Sequence, residues 1–191
     1  MNFYPLAKYV HLLALFVAAG VTAVTKLAAG RRMRARTVGE ALDWHTLLMS
    51  AAKLFPICLL VLAITGGYML SILHVSISSG FVVAGMLAIA WLLASGAFLG
   101  IKGGVLKGVL EGMAAKGADH PAPKLAPPAA VVLLPAINTG VALAVALDMV
   151  AKPTSIPIAL GIVAVGVVLG ALTAPKRLAT AAGQPVAVPE S

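Results

Sequence analysis

Five stretches of this chain stay apolar for close to 20 residues or longer, the length a helix needs to cross roughly 30 Å of hydrocarbon. They run from about Tyr4 to Ala28, Leu47 to Leu73, Gly80 to Ile101, Ala129 to Val150 and Ile156 to Ala174. The chain is 61% hydrophobic and only 10% charged, where a soluble domain carries roughly 25% charged residues. A water-soluble core built from 191 residues could not hide so much apolar side chain. A transmembrane barrel would alternate apolar and polar positions, and Ile57–Ile64 and Val141–Leu147 do not. The expected fold is all-α: a polytopic transmembrane helix bundle of five spans. It forms one unit over residues 1–178, followed by a small, proline-containing, disordered tail at 179–191.

The charges orient the bundle. Arg31, Arg32, Arg34 and Arg36 occupy the first connection, flanked by Lys26 and Lys53. Lys102, Lys107, Lys116 and Lys124 occupy the third, and Lys176 and Arg177 follow the last span. Of the fourteen Lys and Arg residues, all but Lys8 and Lys152 therefore fall on one side of five spans. Basic residues accumulate on the cytoplasmic side, which puts the N-terminus outside and the C-terminus inside, as an odd number of spans requires. The net charge of +8 follows from basic loops that orient the chain and contact anionic lipid, so nucleic acid is not the expected partner. The start MNFYPLAKYV, with Lys8 as its one basic residue and a long apolar continuation, reads as a retained anchor rather than a cleaved signal peptide. The single cysteine, Cys58, lies inside an apolar stretch and offers neither a disulfide nor a paired-thiolate metal site.

Within the third connection, Val105, Leu106, Val109, Leu110 and Met113 recur at helical spacing. They predict an amphipathic cytoplasmic segment over about 103–116, lying on the lipid or extending span three. Ala118–Pro128, with its four prolines, then breaks the helix. Gly96/Gly100 and Gly166/Gly170 are spaced for close helix approach; internal packing and a homodimer would use them equally well.

Ionisable residues in hydrocarbon each ask for a reason. Tyr4, Lys8 and His11 stand at i, i+4 and i+7 on span one, with Thr22 and Thr25 returning to the same face. Span two offers Ser50, Lys53, Thr65, Tyr68 and Ser71 within one sector. Together with Asn138 these make a polar intramembrane stripe. His11 lies about 9 Å along its helix from Pro5, inside the outer half of the membrane. His74 ends span two on the same side, at a depth differing by about 10 Å. If two histidines share a haem or a metal, His11 and His74 are the pair, because His45 sits at the opposite edge. The simpler expectation for an intramembrane histidine is a hydrogen bond to a neighbouring helix. His45 and His74 read as interfacial, His120 as solvated, Asp148 and Lys152 as a local i,i+4 pair, and Asn138 as a link between helices. The chain has no phosphate-binding loop, zinc-protease motif, nucleophile–base pair or paired intramembrane acids, which weighs against an enzyme.

The run KYVHLLALFVAAGV, a basic loop, and then LFPICLLVLAITGGYML resembles the copper-resistance-D-like small integral membrane proteins of bacteria. The resemblance covers about residues 4–75 and rests on His11, on Ala18, Ala19 and Gly20, and on Thr65, Gly66 and Tyr68. It implies a bacterial inner-membrane location and a copper- or haem-linked role, with His11 the residue carried over. The alternative is a non-enzymatic membrane subunit or assembly partner, joined to another membrane protein or to its own copies. A small-solute permease, for which Pro56 and Pro135 would mark broken helices, comes third.

Overall fold

The computed structural model describes residues 3–123 and 127–174, which form six helices joined by short connections. They are α1 (Tyr4–Arg32), α2 (Val38–Ala52), α3 (Leu54–Ile72), α4 (Gly80–Ala114), α5 (Ala129–Ala151) and α6 (Ile156–Leu172). Helices α2 and α3 follow one another through Lys53, and together run Val38–Ile72. That pair, α1, α4 and α5 are each long and apolar enough to cross a membrane. Helix α6, with 17 residues, meets the lower limit for a span. The expected all-helical bundle is therefore present, with four to five membrane-crossing helices. The tail expected at 179–191, and the cations Lys124, Lys176 and Arg177, lie outside the described residues.

One boundary differs from the sequence reading, for a local reason. Helix α2 begins at Val38, well before Leu47, because Thr37 caps it: the Thr37 hydroxyl accepts from the Glu40 amide at 3.2 Å. The Glu40 carboxylate in turn accepts from the Arg36 amide at 2.9 Å, a reciprocal arrangement that satisfies donors left open at a helix start. The segment at 103–116 takes the second of its two expected forms, an extension of span three. Helix α4 passes through it without a break for 35 residues, about 52 Å at 1.5 Å per residue. Helix α4 thus overshoots the hydrocarbon by about 20 Å.

The packing is inverted relative to a water-soluble protein. Many buried positions are small (Ala14, Ala18, Ala28, Ala41, Ala84, Ala88, Ala144 and Ala159), beside a few larger ones such as Leu59, Phe81, Leu92 and Leu110. The large apolar residues point outward, among them Phe16, Leu60, Ile64, Ile101, Leu143 and Val165. Helices surrounded by lipid gain nothing by hiding leucine, and gain contact by letting backbones approach over small residues. Helix α1 packs along α2 and α3, while α4, α5 and α6 pack on one another. A cluster of Leu59, Ala88, Leu92 and Val141 joins α3, α4 and α5.

The two groups are tied most firmly at the end carrying Arg31 and Arg32. There α2 lies against α4, and the chain after α4 folds back beside the start of α2. The Val38 and Gly39 amides donate to the His120 and Ala118 carbonyls at 2.9 Å each, and the Ala122 amide donates to the Arg36 carbonyl at 2.9 Å. Gly117, at φ +154°, makes the turn that starts this return and is the one residue type that adopts it freely.

Candidate functional site

Three polar nodes lie between the helices. At the end where α1 begins, His11 faces α3. The Thr65 hydroxyl donates to the Val61 carbonyl at 2.6 Å, which leaves its oxygen to accept from His11 Nδ1–H at 2.9 Å. That pair sets the tautomer: Nδ1 carries the proton, and the Nε2 lone pair is not consumed by Thr65. Gly66 lies against the ring edge, so no side chain separates the imidazole from α3.

The second node sits between α4 and α5. Asn138 Oδ1 accepts from Trp91 Nε1 at 3.0 Å and from the Ser95 hydroxyl at 3.1 Å. One amide oxygen thus joins two turns of α4 to α5, the helix-linking role expected of Asn138. One turn earlier the Thr139 hydroxyl donates back to the Pro135 carbonyl of its own helix at 2.8 Å.

The third node is at the basic end and centres on His45, whose side chain is 0% exposed. Gly103 offers a carbonyl at 2.8 Å from Nε2; a carbonyl only accepts, so Nε2 carries the proton. Nδ1 is then the acceptor for the Arg32 guanidinium at 2.9 Å. One neutral imidazole joins the end of α1, the middle of α2 and the far half of α4. Met49 packs over Gly103: a Cβ there would stand 2.5 Å from the Met49 sulfur and push that side chain aside. Arg31 adds a second link, with its guanidinium 5.8 Å from the Trp44 ring centre. His45 is therefore a buried structural residue and not the interfacial one expected. The signal was present in the sequence: Val38, Ala41 and His45 are the buried face of α2, and their spacing is helical once Thr37 and Glu40 are recognised as a helix start.

The remaining candidates fall into place around these nodes. Tyr4 and Tyr68 are partly buried, whereas Lys8 and Lys53 are exposed and do not join the inward face. Thr22 and Thr25 bond carbonyls of their own helix, Ala18 and Thr22. His74 is exposed, holds a left-handed backbone at φ +52°, and stands eight residues beyond Gly66, about 12 Å along the axis. The structure does not bring His11 and His74 together. Asp148 and Lys152 make no side-chain pair: Asp148 is 0% exposed with both carboxyl oxygens unpartnered, and Lys152 turns outward in a left-handed conformation at φ +49°.

The donor set decides which cofactor would suit His11. Among the described residues no three His, Cys, Asp or Glu side chains group as a metal site. Copper asks for several imidazole or sulfur donors, and the polar partners of His11 are the Thr65 hydroxyl and the Leu62 carbonyl, so copper does not fit. A haem iron takes a single axial imidazole, which His11 Nε2 could supply, with Thr65 orienting the ring as outer partners of ligating histidines do. Compared with known proteins, the chain matches no family model, no curated protein and no solved structure.

Proposed function

We propose that the protein is a non-enzymatic multi-pass subunit of a bacterial inner membrane, N-terminus outside and C-terminus inside, that receives a transmembrane helix of another subunit along α4. The orientation is supported by the arginines ending α1 and the lysines of the far half of α4, which belong on the cytoplasmic side. The observation that carries the proposal is a row of five glycines on α4: Gly96, Gly100, Gly104, Gly108 and Gly112. A Cβ built on any of them meets nothing within 4 Å. Ile101, Val105 and Val109 beside the row are exposed as well. Each glycine inside a helix costs about 1 kcal/mol relative to alanine, and a neighbouring backbone seated in the row offsets that cost through close contact. Gly96 and Gly100 lie within the hydrocarbon and the other three on the stretch of α4 beyond it; the row follows the i,i+4 direction, so its occupant is a helix that crosses right-handed, at about −40°, and continues past the membrane.

The test is co-purification from native membranes with leucine placed in the row. Gly100→Leu together with Gly104→Leu should release the partner subunit, while Gly20→Leu, on an equally open site of α1, should leave it bound. A partner indifferent to both changes, or recovery of self-complexes alone, overturns the proposal. The second reading, a haem subunit, is favoured by the His11 tautomer. It requires a Soret absorbance in the purified protein that His11→Ala removes and Thr65→Val weakens.

A further inference from the structure

Asp148 is a buried acid that none of the three nodes uses. It continues the inward face of α5 formed by Gly140, Val141 and Ala144. Val141 packs against Ala88 and Leu92, so Asp148, two turns further on, stands level with the opening turns of the antiparallel α4. Met149 next to it occupies the space beside Gly85, which confirms that level. Helices α4 and α6 are the elements packed on α5. The first two turns of α4 (Gly80–Leu87) and the whole of α6 contain no titratable side chain. In the adjoining loops the charged or titratable groups are Lys152, directed outward, and the exposed His74.

Neither carboxyl oxygen has a hydrogen-bond partner. The α4 amides that would greet an anion are occupied: Gly80 N–H donates to the Thr154 carbonyl at 2.8 Å and Phe81 N–H to the Pro153 carbonyl at 3.0 Å. Val82 and Val83 donate to the Ser79 carbonyl at 3.0 and 3.1 Å. A naked charge at such a site costs several kcal/mol. A bound metal ion would want further oxygen ligands, and among the described residues no three His, Cys, Asp or Glu side chains group to supply them. The ligand that needs only one oxygen is a proton.

We infer that Asp148 is a proton-binding site at the α4–α5–α6 junction, where the carboxylic acid form seals the three helices together and loss of the proton to water at the outer surface loosens them. The step is a simple acid dissociation: an O–H bond forms at one carboxyl oxygen with a proton from solvent, and breaks to return it.

Infrared spectroscopy of the full-length protein in detergent reads the site directly. The chain has six acidic residues, so a single carboxylic acid is resolvable. At neutral pH the wild type should show one acid carbonyl band, bleached only at alkaline pH and absent in Asp148→Asn. Lys152→Gln should leave the band unchanged, and the wild-type melting temperature should fall on the alkaline side while that of Asp148→Asn stays flat. No band difference between wild type and Asp148→Asn overturns the inference. So does a band that appears only in Lys152→Gln, which would mark an ion pair, or one that sodium at constant pH removes. If Asp148→Asn does not fold, the Lys152→Gln arm still decides.

Discussion

Helices α5 and α6 set Gly140, Gly166 and Gly170 against each other; α4 keeps five of its glycines, Gly96, Gly100, Gly104, Gly108 and Gly112, in the open. At the α5–α6 crossing a Cβ on Gly140 would collide with the Gly166 carbonyl, and one on Gly170 would stand 2.6 Å from the Ala136 carbonyl. The backbones touch, and Gly166 and Gly170 are spent on that contact. Gly96 and Gly100 have the same spacing and face nothing. The spacing therefore states only that a backbone can come close. Whether one has done so is decided by what the rest of the chain brings there.

Breaking the closed region should have the largest effect. Gly166→Val places methyl groups where the Gly140 carbonyl lies, and overpacking against backbone costs about 3 kcal/mol or more; melting in detergent should show α6 detached or the protein misfolded. The next effect concerns the side of α4 that is already occupied, where Gly103 meets His45. His45→Ala strands the Arg32 guanidinium and the Gly103 carbonyl, and should cost about 2 kcal/mol.

This node also gives a pH dependence. Helix α2 lies beyond the 19 residues of α3, which cross the hydrocarbon alone. Burial holds the His45 imidazole below its ordinary range; the Gly103 carbonyl opposes this, and the Arg32 and Lys107 charges add to the lowering. The unfolded chain therefore takes the proton first. The stability is complete above about pH 6.5 and is lost as pH falls below that value. His45→Ala should flatten this acid limb of a melting-temperature profile.

The smallest effect sharpens the comparison by its sign. Gly104→Ala in the open row should raise the stability of the isolated protein by about 0.5–1 kcal/mol, while weakening capture of the partner subunit. The same change at Gly166 should lower stability, since a Cβ there would stand 2.5 Å from the Gly140 carbonyl.

The spans were legible because hydrocarbon imposes a length and a composition that no local detail overrides. Helix α2 was harder. Its start is written in Thr37 and Glu40, but the surrounding arginines make the stretch look like loop, and with α2 missed His45 became an edge residue. The Asn138 link was legible, since a lone amide in an apolar helix needs a partner, although Trp91 and Ser95 could not be named without the helix rotation. Asp148 was misread for a different reason. The i,i+4 spacing to Lys152 assumes that the helix continues, and the chain leaves it at Lys152 in a left-handed turn. The open glycine row carries no signal separable from a filled one, because contact between helices far apart in sequence is not a local property.

The return of the chain after α4 onto the start of α2 has a practical consequence. Residues 36–39 and 118–122 share three backbone hydrogen bonds, so two connections far apart in the sequence behave as one joint. A protease cut or an epitope tag at Asp119 should unseat the first turn of α2 and, through it, the Arg32–His45 link. The same insertion at Ile77, on the opposite end, would disturb a single serine-rich turn and leave the joint intact.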